Sequence, residues 1–162
     1  MALSRELALT DAQLDELMTS AWNMRIATVG PGRRINLTPM WFGWAGGCIY
    51  TYGRGQKVVN LRRDPQVTVL VDRNELFYEL QGVMFNGTAT VLEDAAAEAG
   101  DPFLEAVRAQ MAAKYHGGHV PPGVDPGPAR DRNDATAAGR SRRWIVVRPD
   151  RSVTWDNFKL PR

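Results

Sequence analysis

Lys57 is the residue whose placement most calls for a chemical explanation. It follows a strand and a glycine-framed turn, Thr51-Tyr52-Gly53-Arg54-Gly55-Gln56-Lys57, and it falls in the first turn of the helix that the residues from Gln56 to Arg63 predict. Two glycines free the backbone to present successive N–H groups, and Arg54 and Lys57 add cationic tips around them. A lysine at a helix N-terminus meets the positive end of the helix dipole. That costs roughly 0.3 to 1 kcal/mol unless an anion lies between the two. Arg62 and Arg63, at the other end, complement the dipole and need no further explanation. The chemistry of this corner is therefore anion binding, of the kind a phosphorylated cofactor requires. A solvated surface lysine is the alternative that the residues alone leave open.

Other residues offer less. His116 and His119 bracket two glycines, but two histidines without a neighbouring carboxylate or thiolate pattern make a poor metal site. Cys48 is read as a small buried hydrophobe at the start of a strand. With no histidine near it in sequence, it is a poor nucleophile. Trp41, Phe42 and Trp44 have the spacing of barrel-lining and outward residues, and of these only Trp41 is carried forward as a site residue.

The elements that must hold this corner are mostly strands. The first helix is read over Asp11 to Ala21, with a capping-box pattern at Thr10 and Gln13, Leu9 and Leu14 as a staple, and Leu14, Leu17, Met18 and Ala21 on one face. Arg25 to Val29, Ile35 to Trp44 and Cys48 to Tyr52, separated by glycine turns, read as a three-stranded antiparallel meander. Gln66 to Val71 is a short β-branched strand. Leu76 to Leu92 is a longer bent strand or strand pair, with Gly82 and Gly87 as bulge or kink positions. Asp101-Pro102 predicts a helix start, continued by Phe103, Leu104, Val107 and Met111 towards Tyr115. Residues 116–139 are rich in Gly, Pro, Asp and Arg and are read as a long mobile loop. Arg143 to Arg148, a turn at Pro149-Asp150 and Ser152 to Asp156 complete the strands. Hairpin-linked strands with peripheral helices make a closed antiparallel barrel the economical architecture.

Length and composition set the frame. The chain has 162 residues, 44% of them hydrophobic, which suits one domain with a real core. A net charge of +2 is too weak for a nucleic-acid partner but favours a small polyanionic ligand. One cysteine, no apolar run near Met1 and no stretch long enough to span a bilayer make cytoplasmic residence and no membrane partner the expectation.

Four segments carry a resemblance: Ile26-Ala27-Thr28-Val29; Asn36-Leu37-Thr38-Pro39-Met40-Trp41-Phe42; Ile49-Tyr50-Thr51; and Lys57 through Val67 with its Asp64-Pro65. In this order they resemble the pyridoxamine-phosphate-oxidase-like split β-barrel family. They are similar in particular to the B branch of the actinobacterial flavin and deazaflavin oxidoreductases, which uses coenzyme F-420. The match covers about the first ninety residues and the closing Val153-Thr154-Trp155-Asp156 strand. The resemblance implies a mainly β (α+β) split β-barrel, FMN-binding-like and homodimeric, with the cofactor at the subunit interface. It implies phosphate contacts from Arg54, Gln56, Lys57 and Val58, with the Thr51 hydroxyl as a further donor. Thr38, Pro39, Met40 and Trp41 would run beside the cofactor ring. Phe77, Tyr78 and an arginine such as Arg142 or Arg143 would come from the second subunit. The chain departs from many relatives at Gly55, where a second basic residue is common.

The implied activity is hydride transfer between a reduced deazaflavin and a small unsaturated or quinone-like substrate. The Arg54, Lys57, Arg62 and Arg63 cluster would accommodate an anionic cofactor tail. No side chain is required as a catalytic acid, since the proton can come from solvent or from a group such as Tyr115 or His116. FMN-dependent chemistry on the same fold and a non-catalytic flavin- or deazaflavin-binding protein are the alternatives. A pyridoxamine-phosphate oxidase proper would need a second phosphate site, for which only the Arg140 to Arg143 run offers residues.

Overall fold

A computed structural model describes residues 5–116 and 142–161. Its centre is one seven-stranded antiparallel sheet rolled into a half-barrel. The strands are β1 (Met24–Val29), β2 (Ile35–Met40), β3 (Gly43–Ala45), β4 (Cys48–Gly53), β5 (Gln66–Arg73), β6 (Gln81–Leu92) and β7 (Arg143–Asp156). Their spatial order is β2-β1-β5-β6-β7-β4-β3. Four helices flank the sheet: α1 (Asp11–Ser20), α2 (Gln56–Arg63), α3 (Ala95–Ala99) and α4 (Leu104–His116).

The order of strands corrects the expected meander. β1 pairs with β2 and β3 pairs with β4, but these hairpins lie at opposite edges of the sheet. The run read as one strand from Ile35 to Trp44 is in fact two, broken at Trp41-Phe42. Those two residues bridge a seam between β2 and β3, across which no ladder forms. The break has a physical cause. Phe42 is fully buried, and its N–H donates to the Tyr115 hydroxyl at 3.1 Å in place of a strand partner. The barrel is thus split along this seam rather than closed by pairing.

A second correction concerns the C-terminal strands. No turn occurs at Pro149-Asp150, and β7 runs unbroken for 14 residues against β6. Pro149 lies opposite Gly87, where the pairing shifts register at Asn86/Gly87, so the missing proline N–H falls at an irregularity rather than in the regular ladder. Gly87 is therefore at the bulge the sequence suggested. Gly82 has another reason: a Cβ there would lie 2.2 Å from the Trp155 ring. The segment before β6 is a 3-10 turn, Phe77–Glu79, rather than strand.

The helices follow their local signals more closely. Thr10 and Gln13 form a reciprocal capping box at the start of α1, and Leu9 and Leu14 both pack against the core. At Asp101 the carboxylate accepts from the Phe103 N–H and the Tyr50 hydroxyl, but regular helix begins only at Leu104. The short α3, capped by Asp94, has a clear signal in Asp94 followed by three alanines. Of the expected loop over 116–139, all but the backbone of His116 lies outside the described residues, as does His119. The core joins Leu17, Met18, Met24 and Ile26 to Phe42, Ile49, Val69, Val83 and Ile145, so α1 plugs one opening of the barrel. Among the described residues no helix is long and apolar enough to cross a membrane.

Candidate cofactor site

The corner around Lys57 is assembled by the ends of β4 and β7 and the start of α2. Gly53 closes β4 and pairs with Arg143 at the start of β7. A Cβ on Gly53 would lie 3.0 Å from Met40 Cε and 3.3 Å from Lys57 Cδ, so the absent side chain lets β2, β4 and α2 approach one another here. Gly55 is the N-cap of α2 with φ 78° and ψ −150°, a conformation a side chain resists, and no side chain caps the helix. The departure from relatives at Gly55 thus follows from backbone geometry. The leading N–H groups, at Gln56 and Lys57, have no acceptor within the helix.

Charge at this corner is unbalanced. Lys57 Nζ donates to the Arg54 carbonyl at 3.2 Å. Among the described residues no carboxylate pairs with Lys57 or Arg54. Burial, and then the neighbouring Arg54 charge, hold the Lys57 ammonium below its usual pKa. An anion would relieve both effects. On β2, two positions before the Met40 that reaches this corner, the Thr38 hydroxyl is buried without a hydrogen-bond partner. Thr38 and Met40 alternate with outward residues and lie on the same face of β2, about 7 Å apart along the strand. The corner therefore offers two cationic groups and unpaired backbone donors, a set that fits a phosphate, with the unused Thr38 hydroxyl further along β2.

Several expected ligands are positioned differently. Thr51 is fully buried and its hydroxyl donates to the Trp41 carbonyl at 2.7 Å, so it cannot also serve a phosphate. Val58 belongs to the core and its N–H donates to the Gly55 carbonyl, which removes it from the phosphate set. Gln56 keeps its backbone N–H for a ligand, while its side chain donates to Asn60 Oδ1. Pro39 faces outward with Ile35 and Leu37, so its ring does not line the site. Trp41 has one ring face stacked on Tyr115, with centroids 4.5 Å apart and planes within 2°, so that face is closed to a cofactor.

The arginines divide into two groups. Arg62 makes a two-pronged pair with Glu93, at 2.7 and 2.6 Å, and Arg63 donates to the Val29 carbonyl. Both are committed to holding α2 and leave the expected tail-binding cluster. Arg142 and Arg143 lie by this chain's own corner through the Gly53–Arg143 pairing, rather than arriving from a second subunit. Arg142 also sits 6.0 Å above the Tyr52 ring. Phe77 and Tyr78 precede β6, whereas the corner adjoins its far end; the two are separated by roughly 35 Å of strand. Within one protomer they cannot share a ligand with Lys57.

Asn60 and Tyr115 are residues the sequence reading missed as supports. Asn60 is fully buried and donates to the Thr28 hydroxyl at 3.0 Å, tying α2 to β1. The polar Asn60 among the apolar positions of α2 was its available signal. Tyr115 was considered as a proton source, but its hydroxyl is buried and bonded to the backbone of Phe42 and Trp22, and burial raises its pKa. No cluster of three or more metal-ligating side chains occurs among the described residues.

The rolled antiparallel sheet, with a cationic corner at the junction of β4, β7 and α2, defines a split-barrel architecture. The family model described as pyridoxamine 5'-phosphate oxidase matches residues 10–156, and the chain belongs to that family. Among solved structures, a conserved hypothetical protein of Mycobacterium tuberculosis, Rv2991, is 26% identical, with a TM-score of 0.77 over 100% of this chain and 95% of that one. An FAD-binding protein from Mesorhizobium loti is 14% identical with a TM-score of 0.64, covering 91% and 94% of the two chains. A protein described as an F-420 reductase is 20% identical with a TM-score of 0.59, covering 86% and 94%. No curated protein matches the sequence.

Proposed function

We propose that this protein is a coenzyme F-420-dependent oxidoreductase that passes a hydride between the deazaflavin and a small unsaturated or quinone-like substrate. The observation carrying the reading is the Arg54–Lys57 pair, without a carboxylate, at the uncapped glycine start of α2. Lys57, Arg54 and the Gln56 N–H would hold the cofactor phosphate, with Arg142, next in chain to the Arg143 that pairs with Gly53, for further negative charge, while Arg143 itself shares Glu93 with Arg62. Thr38 would meet the polar edge of the ring and Met40 its apolar face. The deazaflavin supplies hydride chemistry when bound; this chain binds and orients it and excludes water. The similarity to the F-420 reductase supports this choice of cofactor.

The functional unit in this reading is a homodimer. Ile35 and Leu37 expose about two thirds of their surface on the outer face of the edge strand β2, and Leu76, Phe77, Tyr78 and Phe158 form another exposed apolar group. Because Phe77 and Tyr78 cannot reach their own corner, a partner subunit is the only route by which they could cover a ring. Cytoplasmic residence accompanies the proposal.

FMN is the second reading, since it presents a ribityl phosphate to the same corner and the fold is shared with the FAD-binding relative. Parallel titration of apoprotein with coenzyme F-420 and FMN, followed by fluorescence, tests both. Preferential F-420 binding followed by oxidation of the reduced cofactor by a quinone panel is the expected result. Preferential FMN binding moves the protein to the flavin branch. Tight binding without turnover favours a carrier, and binding of neither overturns the reading.

A further inference from the structure

One distant side chain meets both residues of the seam between β2 and β3. Tyr115, near the end of α4, is 8% exposed. Its hydroxyl accepts from the Phe42 N–H at 3.1 Å and lies 2.9 Å from the Trp22 carbonyl and 3.1 Å from the Phe42 carbonyl, either of which can take its proton. Its ring stacks flat on Trp41 and meets Trp22 edge-on at 5.5 Å. One tyrosine thus supplies the polar partner and the apolar support that a strand neighbour would otherwise give to Trp41-Phe42. The other anchor is the Thr51 hydroxyl on the Trp41 carbonyl.

This seam adjoins the proposed cofactor corner. Met40, immediately before Trp41, is the β2 residue that approaches Gly53 and Lys57. A shift of Trp41-Phe42 would move Met40, while Lys57, fixed by α2 and its Asn60 anchor, would stay. We infer that Tyr115 is a positioning residue: by clamping the Trp41-Phe42 seam it sets the part of the site that meets the cofactor ring, without acting on the part that grips phosphate. This inference rests on the cofactor reading above.

The test separates ring from phosphate. Coenzyme F-420 and its phosphate-free deazariboflavin chromophore are titrated against wild type, Tyr115→Phe and Lys57→Ala, with FMN and riboflavin as a second pair. Tyr115→Phe keeps the stacked ring but removes the hydroxyl bonds. It is expected to weaken binding of the phosphorylated and phosphate-free ligands by the same factor, threefold to tenfold. Lys57→Ala should weaken only the phosphorylated member of each pair. The tryptophan bands in near-ultraviolet circular dichroism of the ligand-free proteins, which report the setting of Trp41 and Trp22 against residue 115, should change in Tyr115→Phe as the seam shifts and remain unchanged in Lys57→Ala. Tyr115→Trp, which restores a ring donor, serves if the phenylalanine variant does not fold and should recover part of the chromophore affinity.

Equal affinity of wild type and folded Tyr115→Phe for the phosphate-free chromophore overturns the positioning role. So does loss confined to the phosphorylated ligand. If Lys57→Ala leaves all affinities unchanged, the cofactor reading itself fails, and that result is independent of the tyrosine variants.

Discussion

The Lys57 ammonium donates to the Arg54 carbonyl at 3.2 Å, so the two cationic residues of the α2 start are joined through main chain while their charges remain adjacent. With no carboxylate partner among the described residues, this pair is organised for a ligand rather than for the fold. Lys57→Ala is expected to weaken binding of a phosphorylated cofactor by about 1.5 to 3 kcal/mol, the range for a hydrogen bond to a charged group, with little change in the melting temperature. Isothermal titration alongside a thermal melt checks both halves.

The same residue gives the site a pH dependence. Burial, then Arg54, lower its pKa, so in the free protein the ammonium begins to lose its proton at a lower pH than an ordinary lysine. Anion binding favours the charged form and must take up protons in that alkaline range. Cofactor affinity should therefore fall as pH rises towards the normal lysine value. The fall should be absent in Lys57→Ala, as affinity titrations across alkaline pH will show.

Asn60 makes a different prediction, about stability. Its amide donates to Thr28 and its carbonyl accepts from Gln56, all at or near the core. Asn60→Ala leaves the buried Thr28 hydroxyl without this donor and loosens α2 on β1, where the Arg63–Val29 bond remains. The expected loss is about 1 to 3 kcal/mol by urea denaturation. Weaker cofactor binding should accompany it because α2 carries Lys57.

Lys114 should behave in the opposite sense. Its ammonium is buried without a hydrogen-bond partner, lies 4.2 Å over the Phe42 ring, and has its pKa pushed down by burial to about 8. Between about 8 and the ordinary lysine value of 10.5 the unfolded chain holds more protons than the folded one, so stability rises with pH across that window. Below it the folded protein bears the full cost of the buried charge, offset in part by the ring. Lys114→Met should stabilise the protein at pH 7 by about 1 to 2 kcal/mol, after allowance for solvent screening, and should remove the alkaline rise. Denaturant melts of both proteins from pH 7 to 10 provide the comparison.

The proposed dimer is tested at β2. Leu37→Glu places a charge in the middle of its exposed apolar face and should convert a dimer to a monomer in light scattering, with a loss of cofactor affinity. A monomeric wild type would remove the homodimer from the reading.

Features governed by near neighbours were legible in the sequence. The Thr10–Gln13 capping box and the span of α2 are local, and both have the expected bounds at their starts. The glycine turn before Lys57 was legible because the steric needs of Gly55 are written in its own backbone. What escaped depended on distant partners. The break at Trp41-Phe42 is caused by Tyr115, 73 positions away, and no periodicity within 35–44 records it. Pro149 reads locally as a turn, but β7 continues because the ladder absorbs it as a bulge, with Asp150 left unpaired opposite Asn86-Gly87 of β6. Thr51 looked like a free donor until folding placed the Trp41 carbonyl against it. In the same way Arg62 and Arg63 resembled ligand cations until Glu93 and the Val29 carbonyl occupied them.

The contact between Gly87 and β7 also bears on how the chain finds its alignment. A Cβ at this position would come within 2.1 Å of the Arg148 carbonyl oxygen, which is main chain and cannot swing aside. If β6 slid along β7 by one residue, Asn86 or Thr88 would bring a side chain into a gap sized for a hydrogen atom. The longest strand pair of the barrel thus carries a steric key near its middle. A register that passes this key is also the one that brings Trp144 and Arg143, at the far end of the same strand, beside the Lys57 corner.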